Sequence, residues 1–227
     1  MSQVAARADH RVLIIDDHML FAESIELALS LEGYDVRRLE LPEEGGSMAT
    51  LRSLALRTNA RTVLLDLDLG RFGDGINLIA PLARAHANVV VLTASNDKGR
   101  WGACMRQGAR KVLSKGDALQ AALATVRRLH QGLPVTSREE LESLLDSWAS
   151  ERRNHDDLRR RLDLLTPRER QVLGALIEGR AVRTISKDSV VSEATVRTQV
   201  KSILHKLEVS SQLAAVGMAN EVGWKGV

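Results

Sequence analysis

The 227-residue sequence predicts an α/β protein in which a doubly wound, five-stranded parallel sheet precedes a small all-α domain. Short apolar runs alternate with segments of helical period up to about residue 131, which is typical of parallel strands whose connecting helices cover both faces of a sheet. The runs are Val12–Ile15, Val63–Leu67, Val89–Leu92 and Val112–Leu113, and the first helical segment carries Leu20, Ile25, Leu27, Ala28 and Leu31. Beyond residue 136 only helical spacing is found.

Composition and cysteine content narrow the class of protein. Hydrophobic residues make up 44% of the chain, which is enough for a proper core. Because we find neither an apolar run of about 18 residues nor the apolar segment of a secretory signal, we expect a soluble, cytoplasmic protein that does not enter a membrane. The single cysteine, Cys104, allows no internal disulfide and no Cys-based zinc site, and we interpret it as a small residue packed in a helix.

Charge is distributed unevenly along the chain. From Leu158 onward 12 Lys and Arg face 7 Asp and Glu, whereas the preceding residues contain 20 basic and 22 acidic ones. The basic excess therefore belongs to the C-terminal third. It favours a domain that meets nucleic acid, with a solvated basic surface as the alternative.

Polar residues follow the predicted strands of the N-terminal part. They are Asp16 and Asp17 after the first strand, Asp66 at the third strand (the run Val63–Leu67), Thr93 after the fourth (Val89–Leu92) and Lys115 after the fifth (Val112–Leu113). Because ligands of open α/β sheets bind outside the carboxyl ends of the strands, we expect one shared site there. The two carboxylates in "VLLDLDLG", Asp66 and Asp68, need a strand end, a cation or a reaction, since burying unpaired ionised acids is costly.

A charged helix is predicted between the two parts, over Thr136–Leu165. Leu141, Trp148, His155 and Leu162 recur every seven residues, beside a companion seam of Leu144, Leu158 and Leu165 that Glu151 interrupts. Such interrupted heptads are compatible with a short coiled coil that joins two chains, and equally with a helix packed on its own protein.

A compact helical module follows this segment. Thr166 is the expected N-cap of its first helix, with Pro167 at the first helical position and Glu169 completing a capping box. Ser192 is the expected N-cap of a later helix with an apolar stripe of Ala194, Val196, Val200, Ile203 and Leu207 and an outer face of Arg197, Thr198, Lys201 and His205 or Lys206. A short basic helix after a tight turn is typical of a reader of the DNA major groove.

Taken alone, "LLDLDLG" resembles the first motif of the haloacid dehalogenase superfamily, in which the first Asp is a phosphorylated nucleophile and the second a general acid. The match is partial. Leu69–Gly70 stands where that family has a Gly-Thr-like pair, the strand is the third rather than the first, and the acidic pair Asp16–Asp17 lies upstream. An aspartyl-phosphate hydrolase is therefore a remote alternative.

Four motifs in order resemble the receiver domain of bacterial two-component systems. They are "RVLIIDDHMLFAESI", "VLLDLDLG" with the following "DG", "VVVLTAS" and "GARKVLSKGD", and they span residues 11 to about 131. The resemblance implies a flavodoxin-like fold and a sensor histidine kinase that donates a phosphoryl group to Asp66.

The roles expected of the site residues agree with the charge of a phosphate. A carboxylate attacks phosphorus only if the repulsion between the two anions is cancelled. We therefore expect Mg²⁺ at this site, held by Asp16, Asp17, Asp66 and the backbone carbonyl of Asp68. Lys115 is expected to neutralise a second phosphate oxygen, and the Thr93 hydroxyl to donate to the third. We expect the Asp68 side chain at the solvent rim, where it tunes the lifetime of the acyl phosphate.

The C-terminal module resembles the four-helix LuxR-type helix-turn-helix domain over residues 164 to about 221, through "LTPRERQVLGALIEG" and "ISKDSVVSEATVRTQVKSILHKLEVSS". The resemblance implies promoter DNA as a partner. We expect Arg197 and Lys201 to contact base edges or nearby phosphates, and Thr198 to make an apolar or hydroxyl contact. The residues expected to meet phosphates are Arg183, Lys187 and Lys206. Glu208 departs from the family pattern, in which a Gly usually ends this helix.

Receiver plus LuxR-type helix-turn-helix is the architecture of NarL/FixJ-type response regulators. The expected boundaries are 10–132 for the receiver, 133–163 for a helical linker and 164–227 for the DNA-binding domain. We expect a transcription regulator rather than an enzyme, a homodimer when active, in which phosphorylation of Asp66 controls dimerisation and promoter binding.

One departure from the receiver pattern concerns signalling. The position that often carries an aromatic switch residue is Val112, and Trp101 on the preceding helix is interpreted as a core or interface residue. The missing aromatic leaves open a phosphorylation-independent regulator that dimerises through the linker helix.

Overall fold

The computed structural model describes residues 10–41 and 45–225, apart from the side chains of residues 117 and 118. It divides into two units, Met1–Ala149 and Ser150–Val227. Within the described ranges, none of the helices combines the length and the apolarity needed to cross a membrane.

The first unit is built on a parallel sheet of five strands in the order β2-β1-β3-β4-β5. The strands are β1 (Arg11–Ile15), β2 (Asp35–Arg38), β3 (Thr62–Asp66), β4 (Asn88–Thr93) and β5 (Lys111–Ser114). The strand order reverses between β1 and β3, and folds of this kind bind ligands in the crevice outside the carboxyl ends at that point. The predicted doubly wound sheet is confirmed, with every predicted run ending within one residue of the observed strand.

Helices pack on both faces of this sheet. They are α1 (Met19–Leu31), α2 (Met48–Arg57), α3 (Ile76–Arg84), α4 (Lys98–Arg106) and α5 (Ala118–His130). Side chains alternate along each strand, so Leu13 and Val63 face α2, α3 and α4, whereas Ile14 and Leu64 face α1 and α5. The apolar runs are therefore continuous because each strand is covered on both sides.

Strand β2 lies at one edge of the sheet, and none of its four residues is buried, which is why it has no apolar run in the sequence. It pairs with β1, and its last residues, Arg37 and Arg38, are exposed. An edge strand with a solvated face does not need the continuous hydrophobic pattern by which the central strands were recognised.

Helix α6 (Arg138–Asp163) contributes to the cores of both units. In its first half, Leu144 is buried in the core of the first unit. In its second half, Leu158 and Leu162 are buried in the core of the second unit. These residues of the predicted heptad seams are covered by their own units, which favours the packed helix over a coiled coil between chains.

The second unit adds the four predicted helices, α7 (Pro167–Ile177), α8 (Val182–Asp188), α9 (Glu193–Leu207) and α10 (Gln212–Glu221). The capping box at Thr166 is confirmed: its side chain accepts the Glu169 N–H, and the Glu169 carboxylate accepts the Thr166 N–H at 2.7 Å. The apolar stripe of α9 is buried at Val196, Val200, Ile203 and Leu207.

Ala194 was wrongly assigned to that stripe, since it is exposed. At about 100° per residue it lies on the same side of α9 as Thr198 and Lys201, opposite to Val196. The outer face of the helix is therefore one residue wider than predicted.

Glu208 ends α9 in the left-handed conformation, with φ 56° and ψ 41°. This conformation favours glycine, which explains why a Gly is expected at this position. Here the Glu208 carboxylate lies 2.9 Å from the guanidinium of Arg161.

Candidate functional site

Three strands bring acidic and basic residues together at the carboxyl edge of the sheet. Asp16 and Asp17 follow β1, Asp66 ends β3, and Lys115 follows β5. The side chains of Asp16, Asp66 and Lys115 are only 1%, 3% and 14% exposed. Charged groups this deeply buried are tolerated only when they are paired.

Lys115 pairs with two carboxylates at once. Its Nζ lies 2.6 Å from Asp66 Oδ2 and 2.9 Å from Asp16 Oδ1. Burial works to lower the pKa of Lys115, but the hydrogen bonds to Asp66 and Asp16 raise it. The pKa of Asp66 is raised because burial, joined by the charge of Asp16, outweighs the hydrogen bond from Lys115. One ammonium for two buried carboxylates leaves an excess of negative charge.

The same cluster of residues fits a divalent cation. Asp16 Oδ2 is buried and has no hydrogen-bond partner in the part of the chain that the structure describes. Ligand atoms of Asp16, Asp17, His18 and Asp66 all lie within 4.8 Å of one another. Carboxylate oxygens are ligands that Mg²⁺ prefers. A buried acceptor without a partner, beside excess negative charge, is what such a cation would satisfy.

The loop after β3 shapes the site through Asp68 and Gly70. The Asp68 N–H donates to Asp66 Oδ1 at 3.1 Å, and the exposed Asp68 carboxylate accepts the Gly70 N–H at 3.2 Å. Gly70 has φ +54°, and a Cβ there would lie 3.2 Å from Asp17 Oδ2. Glycine therefore lets the loop approach Asp17 closely. The Asp68 carbonyl as a metal ligand stays a prediction.

Thr93 lies at the same edge, one strand away from Asp66. Asp66 is in register with Leu92, so Thr93 stands one residue beyond it. Thr93 is 4% exposed, and its hydroxyl oxygen accepts the N–H of Ser95 at 3.1 Å. Val112 is buried on β5 in register with Val91, which makes it an aliphatic core residue.

His18 belongs to the site although the sequence reasoning did not single it out. Its Nδ1 lies 2.8 Å from Asp17 Oδ1, 3.6 Å from Asp66 Oδ2 and 3.3 Å from Lys115 Nζ. The only sequence signal was its position directly after Asp17, at the N-cap of α1. The imidazole stands at the solvent side of the cluster, since its side chain is 63% exposed.

In the second unit, the residues predicted to read bases share one exposed face of α9. These are Arg197, Thr198 and Lys201. The Arg197 side chain is 69% exposed, and its guanidinium lies 3.7 Å from Glu193, a weak pair on the helix surface. The basic groups of this face are therefore presented to solvent, as contact with DNA requires.

Of the residues predicted to meet phosphates, Arg183 and Lys187 are exposed on α8. Lys206 is engaged within its own unit instead. Its Nζ lies 2.7 Å from Glu169 Oε2 and 3.3 Å from the Leu164 carbonyl oxygen. Because the ammonium is already paired with a carboxylate, Lys206 ties the end of α9 to the capping box of α7. This structural role corrects the expectation that its charge is presented to DNA.

Two family models match the chain. Residues 12–127, about half of the chain, match the response regulator receiver domain, and residues 163–219 match the bacterial regulatory proteins of the luxR family. The first unit is thus a receiver domain and not a dehalogenase-type hydrolase domain.

Similar proteins match the chain over nearly its whole length and over nearly all of their own. The nitrate/nitrite response regulator protein homolog of Haemophilus influenzae is 29% identical over 90% of this chain and 93% of its own. The nitrate/nitrite response regulator protein NarP of Escherichia coli is 28% identical over 90% of this chain and 92% of its own. A structure of the Salmonella typhimurium RcsB response regulator has a TM-score of 0.50 at 24% identity, covers 93% of this chain and 98% of that chain, and shows a like fold. The chain belongs to the response regulators that join a receiver domain to a LuxR-type DNA-binding domain, a family of transcription regulators and not of enzymes.

Proposed function

We propose that Asp66 is the phosphoryl acceptor of this response regulator, that a sensor histidine kinase is the donor, and that phosphorylation controls dimerisation and promoter binding. The proposed domains are 10–132, 133–163 and 164–227, and the protein acts on promoter DNA in the cytoplasm. The matches to the receiver and luxR families and the similarity to known response regulators support this class of function.

One observation carries the proposal. Lys115 holds Asp66 at 2.6 Å, beside a buried Asp16 oxygen that has no partner among the described residues. A purely structural ion pair gains nothing from an unsatisfied buried oxygen next to it. A phosphotransfer site, in contrast, needs a nucleophile, a fixed counter-charge and free ligand capacity.

The transfer step uses groups that are already in place. An Asp66 carboxylate oxygen forms a bond to phosphorus while the bond between phosphorus and the kinase imidazole nitrogen breaks, and that nitrogen keeps the electron pair. Lys115 then donates to a phosphoryl oxygen instead of to Asp66. The Thr93 hydroxyl, whose oxygen accepts from Ser95, has its own proton to donate to another phosphoryl oxygen.

The residues that would hold Mg²⁺ are Asp16, Asp17 and Asp66, with the Asp68 carbonyl. When bound, Mg²⁺ would offset negative charge on the phosphoryl oxygens. Asp17 is the most accessible of the three carboxylates, at 31% side-chain exposure.

Promoter DNA is the proposed ligand of the second unit. Arg197 and Lys201 would contact base edges or nearby phosphates, and Thr198 would make an apolar or hydroxyl contact. Arg183 and Lys187 would contact phosphates. A homodimer would place two such helices on half-sites about one DNA turn apart, which raises affinity and selectivity together.

The mass in solution tests the proposal. Light scattering is measured in Mg²⁺, with and without beryllofluoride, which stands in for the phosphoryl group. We expect the parent to shift from monomer to dimer and Asp66→Asn to stay monomeric. Asp156→Asn, which neutralises an exposed carboxylate of α6, is the matched control and should respond like the parent.

Each other outcome has a defined meaning. A dimer that does not change with beryllofluoride would support the phosphorylation-independent regulator. A monomer that does not change would contradict dimerisation as the output. An equal response of Asp66→Asn and the parent would contradict Asp66 as the acceptor.

A further inference from the structure

The loop that follows Thr93 is tied to helix α4 by Trp101. The Thr93 oxygen accepts the Ser95 N–H at 3.1 Å, and the Ser95 carbonyl accepts the indole N–H of Trp101 at 2.9 Å. Trp101 is 8% exposed in the core of the first unit, and Lys98 Nζ lies 3.7 Å from its ring centroid. A displacement of Thr93 toward the Asp66 site would therefore also displace the acceptor of the indole hydrogen bond.

The next residue, Gly102, brings α4 into contact with α6. A Cβ at Gly102 would collide with the Leu144 carbonyl oxygen and would lie 2.8 Å from Trp148 Cβ. Only a residue without a side chain allows this approach. Leu144 itself is buried in the core of the first unit. The two helices are thus in close backbone contact one residue away from Trp101.

Two charged contacts hold the first half of α6 in the same place. The Arg106 guanidinium of α4 lies 4.4 Å from the centroid of the Trp148 ring. Lys111 Nζ of β5 lies 2.6 Å from the Glu140 carboxylate. The first half of α6 is therefore fastened to the two elements that follow Thr93 in the chain.

We propose that Trp101 is a positioning residue through which the state of the Asp66 site sets the position of the first half of α6, an inference that rests on the proposed function of Asp66. Val112 offers no aromatic ring on β5 that could reorient, and the Trp101–Ser95 bond supplies a connection that does not need one. The coupling element is α4 with its preceding loop, which both Thr93 and α6 contact. Coupling between two sites requires a shared element that has two arrangements, and the state of each site must shift the equilibrium between them.

The coupling reaches a helix that serves both units. Beyond the contact with Gly102, α6 continues to Leu158 and Leu162, which are buried in the core of the second unit. A change in its first half is therefore a change in a helix whose second half is part of the core of the DNA-binding unit.

Hydrogen exchange of the full chain tests the inference. Exchange of the amides of residues 140–149 is measured by mass spectrometry in Mg²⁺, with and without beryllofluoride, while ¹⁹F resonance reports bound beryllofluoride. In the parent we expect beryllofluoride to change these exchange rates by about fivefold or more. Trp101→Phe keeps the apolar ring and removes the N–H donor, so we expect bound beryllofluoride but most of the change in residues 140–149 to be lost.

Trp224→Phe, at a partly buried position packed against the core of the second unit, is the matched control and should keep the parent's response. Gly102→Ala is the second variant, because it separates α4 from α6 while the Trp101–Ser95 bond remains. It should bind beryllofluoride without a response in residues 140–149, and it decides the question if Trp101→Phe does not fold.

Two results would overturn the inference while the proposed function stands. One is bound beryllofluoride with unchanged exchange of residues 140–149 in the parent. The other is an equal response of Trp101→Phe and Trp224→Phe. If ¹⁹F resonance shows that the parent does not bind beryllofluoride at all, the proposed function of Asp66 fails, and the inference fails with it.

Discussion

The ammonium of Lys115 lies 2.6 Å from the Asp66 carboxylate, although 49 residues separate the two in the chain. The same ammonium also holds the buried Asp16 at 2.9 Å. Two carboxylates thus share one cation inside the protein. Because one negative charge is left uncompensated, a further positive charge should stabilise the site. The protein is therefore expected to respond to divalent cations.

Divalent cations should stabilise the protein through Asp16. At about 100 times its Kd, Mg²⁺ is expected to raise the free energy of unfolding by about 2.7 kcal/mol, because it binds the folded state alone. Asp16→Asn should lose most of this gain, and without Mg²⁺ it should be at least as stable as the parent, since it removes one of two neighbouring buried charges. Urea unfolding with and without Mg²⁺ measures both the gain that Mg²⁺ gives and the stability of Asp16→Asn without it. A full Mg²⁺ effect in Asp16→Asn would contradict the assignment, and Asp156→Asn is the control.

Acid should weaken the second unit through Glu169. Burial works to raise the pKa of this carboxyl, but hydrogen bonds from Lys206, Ser202 and the Thr166 cap together lower it to about 2. The pKa of Glu169 in the folded protein is below the ordinary 4.5. The ionised carboxylate therefore stabilises the folded state fully above pH 4.5, and this contribution to the free energy of unfolding is lost as the pH falls toward 2.

Unfolding of Glu169→Gln, followed by circular dichroism, measures this contribution. At neutral pH we expect it to be less stable than the parent by about 1–3 kcal/mol, a range discounted because solvent reaches Lys206. The difference should shrink between pH 4.5 and pH 2. Glu178→Gln, a change at an exposed carboxylate, should keep the parent's pH dependence. A difference that does not vary with pH would rule out the ion pair as its source.

Acid should also weaken the first unit, through His10 at the opposite end of the sheet. Its Nδ1 lies 3.0 Å from His130 Nδ1, and its Nε2 lies 2.9 Å from Thr62 Oγ1. Burial, with smaller effects of His130 and Arg61, lowers the pKa of His10 from 6.5 to about 4. The unfolded chain therefore takes up a proton before the folded protein does, and stability falls as the pH drops from 6.5 to 4.

The expected loss over this interval is about 1–3 kcal/mol. His10→Gln should remove most of it in urea unfolding measured between pH 7 and pH 4, whereas His155→Gln, at a half-exposed position of α6, should not. If His10→Gln and the parent lose stability in parallel, His10 is not the titrating group.

Arg197 and Arg183 should have different effects on DNA binding. The test uses the duplex that the beryllofluoride-bound parent selects from a random pool, together with its single-base variants. Under the proposed contact with a base edge, Arg197→Ala should cost about 1–3 kcal/mol and relax selectivity at one position. Under the proposed contact with a phosphate, Arg183→Ala should weaken binding to all duplexes alike and lower its salt dependence. Equal selectivity profiles for the two variants would contradict this division of roles.

Much of the fold was predictable because its signals are local. Buried parallel strands are continuously apolar, so four of the five were found to within one residue, and the capping box at Thr166 marked the start of α7. The common site of Asp16, Asp66 and Lys115 also followed, since parallel strands end at one edge. The edge strand β2 was counted among the five predicted strands but not located, because none of its residues is buried and it therefore shows no apolar run.

Contacts between side chains that are far apart in the chain could not be predicted from the sequence pattern. The basic residues Lys206 and Arg197 look alike on the sequence of α9, yet one is paired with Glu169 and the other is exposed. His18 gave no signal beyond its neighbours, and nothing around Gly102 indicated that Leu144 would lie against it.

The sequence by itself therefore determines the order of strands, helices and site residues, because hydrophobic periodicity and helix capping depend on residues that are close together in the chain. Three-dimensional packing was needed to show that Lys115 pairs with both Asp16 and Asp66 and that Lys206 pairs with Glu169. It also showed that Trp101 and Gly102 connect the loop after β4 to α6. These contacts depend on distances across elements far apart in the chain, and such distances exist only once the elements are packed.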